Sequence, residues 1–173
     1  MSSDKAIALT TKEDLRLLYS RDFYEWVIEN LKLIENKEYE LVDWENILVE
    51  IQDMGQRHLD AAISHMGIIL EHIYKWEYFK EDENMGNGWI KSMLNSRNEI
   101  SYLFQRQPSL KNKVQLYIED AWEYAITRLI NFFKDPENSR LAQKYFGKIP
   151  NRNDFPKKCP YTFEQILNFE PFL

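Results

Sequence analysis

The chain contains a single cysteine, Cys159. That excludes an internal disulfide and any zinc or iron–sulfur centre built from several thiolates. Five glycines and six prolines in 173 residues rule out collagen-like and low-complexity sequence. There is no Gly-rich phosphate loop, nucleophile elbow or zinc-finger spacing, so nucleotide-dependent chemistry has no support and no cofactor is expected. No apolar run approaches the ~20 residues that span a bilayer, and no secretory leader is expected. The expectation is a soluble cytoplasmic protein that makes no use of a membrane. A cationic excess is missing too, since 28 carboxylates stand against 22 Lys and Arg. An acidic surface repels phosphate backbones, so nucleic acid is not an expected partner. The stretch Arg152–Lys158, with Lys148 before it, is the one basic cluster and reads as a solvated loop.

What the chain does have is apolar and aromatic weight. Apolar residues make up 44% and aromatics 14%, enough at this length to bury one sizeable core. A single helical domain over 1–173 is expected, with its core at about 12–146 and a Pro-containing tail at about 147–173. No alternating strand pattern occurs, so the fold class is all-α. The expected form is a compact bundle of about four main helices, with a long central helix and a short C-terminal docking helix.

Thr10-Thr11-Lys12-Glu13-Asp14 reads as a helix start, with a capping hydroxyl and carboxylates in the first turn. A helix over 12–35 follows, with Ser20-Arg21-Asp22 as the place where it can break. Asp43 is a good N-cap for the next helix. From Trp44 to about Phe79 the pattern Leu48, Ile51, Leu59, Ala62, Met66, Ile69, Ile73, Trp76 predicts a helix about 54 Å long. Gly55 is its weak point, and Leu59–Ile73 should be its most buried part. A third helix is predicted from Trp89 to Arg106, with Ile90, Met93, Leu94, Ile100 and Leu103 inward. A fourth opens on Pro108 and stops before Pro136. A shorter one is predicted around Glu137–Tyr145. Thr162-Phe163-Glu164-Gln165 matches a capping box and predicts a last short helix carrying Ile166 and Leu167.

Several stretches, in colinear order, resemble a bacterial family abundant in cyanobacteria, the domain of unknown function 29 family. The resemblance is carried by YSRDFYEW at 19–26, LVDWENI at 41–47, EIQDMG at 50–55 and EHIYKWEY at 71–78. Trp89, Pro108-Ser109-Leu110 and FPKKCPYTFEQIL at 155–167 complete it. It implies a small helical protein and assigns no reaction. Lys157-Lys158 stand where the family usually has an acidic pair. His72 falls in a family stretch, whereas His58 and His65 do not.

His58, His65 and His72 are the only histidines, and their seven-residue spacing puts them on one helical stripe. Trp44, Ile51 and Phe79 extend the stripe, so an inward-facing seam is expected. Successive rings lie about 10.5 Å apart along a helix axis, too far for two of them to share a metal ion. No catalytic, cofactor or metal residue is therefore assigned. Glu50 and Asp53, three apart on one face, remain with His72 as candidates for a polar site, with Arg21 or Arg97 as possible ion-pair partners of the carboxylates. His72 is expected to be withdrawn from water and bonded to a carboxylate or carbonyl. Arg97-Asn98 invites comparison with helical ribonucleases of the HEPN type, but Tyr102 stands where those need a histidine, and a phenol is ill suited to acid–base work near neutral pH. The functional expectation is a non-catalytic module that binds another protein or forms a homodimer, with Tyr74, Tyr78 and Phe79 in its contact surface. The alternative is a metal-dependent hydrolase-like bundle using His72 with Glu50 and Asp53.

Overall fold

A computed structural model describes residues 11–171; Thr10 of the expected first cap lies outside them. All regular structure among the described residues is helical, with no strand. They pack as two compact units, 11–56 and 57–171. No helix among them is long and apolar enough to cross a membrane.

The first unit holds α1 (Lys12–Arg21), α2 (Phe23–Glu35) and the first part of α3 (Trp44–Tyr78). The Thr11 hydroxyl oxygen accepts from the Asp14 N–H at 3.2 Å, capping α1. The expected break falls at Asp22, whose backbone leaves the helical region while its carboxylate accepts from the Glu25 N–H at 3.1 Å. One residue thus ends a helix and caps the next. Leu15, Leu18 and Trp26 form a small core, with Tyr19, Val27, Leu33 and Ile47 against it. A buried polar clamp fixes the entry to α3. The Trp26 indole donates to the Asp43 carboxylate (3.1 Å), Asn30 accepts from the Asp43 N–H (2.9 Å) and donates to the Trp26 carbonyl (2.9 Å). Asp43 also takes the Asn46 amide at 2.7 Å. Its predicted capping role holds, since its carboxylate also accepts from the Asn46 backbone N–H at 3.4 Å, and Trp26, Asp43 and Asn46 lie in the stretches 19–26 and 41–47.

The second unit holds the rest of α3, then α4 (Asn87–Arg106), α5 (Pro108–Val114), α6 (Ile118–Lys134), α7 (Ser139–Phe146) and α8 (Phe163–Asn168). Its core joins Leu59, Met66, Ile69, Leu70 and Ile73 of α3 to Met93 and Ile100 of α4 and to Trp122, Leu129 and Phe133 of α6. Gly67 makes the α3–α6 approach possible: a Cβ there would lie 2.9 Å from the Ala121 carbonyl oxygen. The Trp122 indole donates to the Pro156 carbonyl at 3.0 Å, tying the tail to α6. The Thr162 capping box is complete, with Gln165 returning its bond to the Thr162 N–H at 2.8 Å.

The expectation of about four main helices does not hold as stated. The first is divided at Asp22, and the fourth is split into α5 and α6 by a 3-10 turn at Gln115–Tyr117. No glycine or proline marks that second break, and it turns Leu116 out to solvent. Helix α3, by contrast, runs without interruption through Gly55.

Candidate functional site

The histidine stripe does not stay on one face of its surroundings. Trp44, Ile51 and His58 are exposed, His65 is half-buried, and His72 and Phe79 are buried. An α-helix drifts by about 20° per seven residues relative to a strict heptad, so a stripe followed over five heptads turns through roughly a quarter of the circumference. The inward seam expected from spacing alone is corrected to a stripe that enters the core only near its end.

His72 is withdrawn from water, 7% exposed, as expected. The bond expected for it is absent: neither ring nitrogen has a partner among the described residues. Burial, reinforced by the nearby Lys75 ammonium, pushes its pKa down to about 4, against the pull of Glu71. The ring is neutral at physiological pH and packs among Trp76, Trp89, Ile90, Met93, Phe169 and Pro171, which leave no room for a water molecule beside it.

Beside it lies a buried ionic cluster that the sequence reading missed. Lys75 is 3% exposed, and its ammonium donates to Glu71 at 2.8 Å. The same ammonium stands 5.0 Å from the ring centre of Trp89 and 4.3 Å from that of Phe132. The Arg128 guanidinium takes the other Glu71 oxygen. Burial alone would raise the Glu71 pKa, but Lys75 and Arg128 hold it below the usual carboxylate range. Burial lowers the Lys75 pKa more than Glu71 restores it. The four-residue spacing of Glu71 and Lys75 was a readable sign of the pair; its burial was not. Glu71, His72 and Lys75 all fall in the family stretch at 71–78. The rings of Trp89 on α4 and Phe132 on α6 cover its Lys75 end, while the Arg128 side chain on α6 remains 36% exposed, so the cluster links α3 to α4 and α6 and meets solvent only on the Arg128 side.

The other two candidate residues belong elsewhere. Glu50 and Asp53 lie in the first unit and His72 in the second. Glu50 accepts from the Tyr19 hydroxyl at 2.7 Å, and Asp53 is exposed. Arg97 pairs with neither carboxylate. Its guanidinium donates to the carbonyls of Ile166 (3.1 Å) and Phe169 (2.7 Å), latching the end of α8. Among the described residues no group of three or more His, Cys, Asp and Glu is arranged to hold a metal ion. Cys159 is half-buried, and burial raises its thiol to about 11, so it is no activated nucleophile. In the basic stretch, Arg152 is committed to Glu123 at 2.8 Å and to loop carbonyls, while Lys157 and Lys158 are solvated.

The expected contact surface is also corrected. Tyr74 and Phe79 are buried in ring-to-ring contacts with Trp122 and Phe133, and only Tyr78 is exposed. The exposed apolar side chains concentrate instead in the first unit. Eleven of the eighteen large ones lie within residues 11–56, although that unit is much the smaller. The reason is its size: three short helix segments bury little, and two apolar faces remain open. Between α2 and α3 runs a groove, open to solvent, of about 280 Å3. Val27, Leu31 and Ile34 form one wall, Ile47, Ile51 and Met54 the other, with Trp26 and Asn30 at the base and Glu50 on the rim. Both walls have i, i+4, i+7 spacing, one continuous stripe on each helix.

The family model described as "Domain of unknown function DUF29" matches residues 18–172. The chain belongs to that family. Comparison with curated proteins and with solved structures gives no match.

Proposed function

We propose that this protein is a non-catalytic interaction module that docks another protein in the groove between α2 and α3. The proposed setting is the cytoplasm, with no nucleic acid or membrane as partner. The observation that carries the reading is the contrast between the two units. The Glu71 and Lys75 side chains of the second are buried, with Trp89 and Phe132 over the ammonium, whereas the first leaves two apolar stripes facing each other across open space. Leu31 and Ile51 are 49% and 60% exposed on those stripes. Covering such side chains gains about 25 cal/mol per Å2 of apolar surface, and contiguous exposed patches of this kind mark interaction sites. Because both residues are exposed, replacing them leaves the core intact. The test is affinity purification from the native cell with the wild-type chain and with Leu31→Asp/Ile51→Asp. A stoichiometric protein retained by the first and lost from the second, with unchanged circular dichroism, supports the reading. A partner that binds both equally removes the groove from it.

A further inference from the structure

We infer that the occupant of the α2/α3 groove is a basic amphipathic helix of a partner protein. This inference rests on the docking role proposed above and adds the chemistry of the partner. Two independent features point to it. The first is geometric. Val27, Leu31 and Ile34 face Ile47, Ile51 and Met54 as two rows of the same length, each about two turns long at 1.5 Å per residue. Two such rows offer apolar ridges against which a third helix lays its own apolar side chains at i, i+3 or i+4, and i+7.

The second feature is charge. Residues 11–56 carry twelve carboxylates against five Lys and Arg, and residues 57–171 carry fifteen against sixteen. The excess negative charge of the chain thus belongs to the unit that holds the groove. Some of it is neutralised locally, as in Arg16–Glu45 and Lys32–Glu29 at 2.5 Å each, but the excess stands. An apolar trough set in an acidic unit favours an occupant with apolar side chains on one face and Lys or Arg on the other. The same charge opposes the other obvious occupant, a second copy of this chain. Docking first unit on first unit would bring two strongly acidic surfaces together, and like charges across an interface are costly.

The experiment uses the full chain and two synthetic helical peptides of about 18 residues. Both carry the same leucine stripe at i, i+4 and i+7; one has Lys on its remaining positions and the other Glu. Binding is read by fluorescence anisotropy and oligomeric state by sedimentation. The Lys peptide is expected to bind at least about tenfold more tightly than the Glu peptide, to weaken as salt is raised, and to be lost from Leu31→Asp/Ile51→Asp. Equal binding of both peptides, abolished by that double variant, overturns the basic occupant while leaving the docking role standing. Binding of the Lys peptide that survives the double variant shows non-specific attraction and overturns the inference. A dimer of the wild-type chain that the double variant dissolves assigns the groove to a second copy, which also overturns it.

Discussion

The ammonium of Lys75 lies 2.8 Å from a carboxylate oxygen of Glu71, one turn earlier on α3, and both side chains are withdrawn from water. The two residues are not equivalent. Glu71 has a second cation, Arg128, on its other oxygen, while Glu71 is the one carboxylate bonded to Lys75 among the described residues. Removing the anion strands a buried ammonium; removing the ammonium leaves the anion paired.

Glu71→Gln is therefore expected to cost about 3–5 kcal/mol of stability, the range for an uncompensated buried charge. Lys75→Met, which keeps the stem length and the contact with the Trp89 and Phe132 rings, is expected to cost clearly less. Urea denaturation of both variants checks the order. A Lys75→Met loss equal to or above that of Glu71→Gln would contradict the asymmetry.

The pH dependence of stability should carry a mark of His72. Its folded pKa is about 4, below the ordinary value of 6.5. Between those values the unfolded chain binds a proton that the folded chain does not, so acid favours unfolding. The contribution is fully present above pH 6.5 and declines as pH falls to about 4, by about 3 kcal/mol at 1.4 kcal/mol per unit. Glu71 acts in the same direction at lower pH, because its depressed pKa gives stability that is lost as pH falls through the folded value. His72→Gln is expected to flatten the curve between pH 6.5 and 4. At neutral pH it should lower stability by about 1–3 kcal/mol, since a buried amide brings more unpaired donors than a neutral imidazole. Denaturation midpoints measured across that range decide it, and parallel curves for wild type and variant would remove His72 from the account.

Much of this architecture was readable in the sequence. Asp43 and Thr162 mark helix starts because a short polar side chain before an apolar pattern has one good use there, whereas at Ser20-Arg21-Asp22 the sequence shows a possible break but not that Asp22 caps a new helix. The α3 segment from Leu59 to Ile73 reads as core because its apolar residues exceed one face. The groove was not readable, although its residues were. Ile51 and Leu48 fit an inward stripe, and periodicity shows that a helix has an apolar face without showing what covers it. The same i, i+4, i+7 spacing serves a face packed by α6 and a face left open between α2 and α3. The Glu71–Lys75–Arg128 cluster escaped for a related reason. Arg128 is fifty-seven residues from Glu71, and no local pattern links them.

Gly55 and Gly67 lie on the same helix, twelve residues apart, and should respond to alanine in opposite directions. At Gly55 an added Cβ meets nothing within 4 Å, and the backbone there is already helical. Alanine lowers the conformational freedom of the unfolded chain and exposes less backbone, so Gly55→Ala is expected to stabilise by about 0.5–1 kcal/mol. At Gly67 the new Cβ would sit 2.6 Å from Tyr124 Cδ1 and 2.9 Å from the Ala121 carbonyl oxygen. The Tyr124 ring can turn aside, but the α6 backbone cannot move without disturbing Ala125 and Trp122, both fully buried against α3. Gly67→Ala is expected to cost about 1–3 kcal/mol, the range for overpacking a close contact. Thermal melts of the two single variants test this. A lower melting temperature for Gly55→Ala would mean that α3 needs a flexible point there, and an unchanged one for Gly67→Ala would mean that α6 packs less tightly on α3 than the geometry requires.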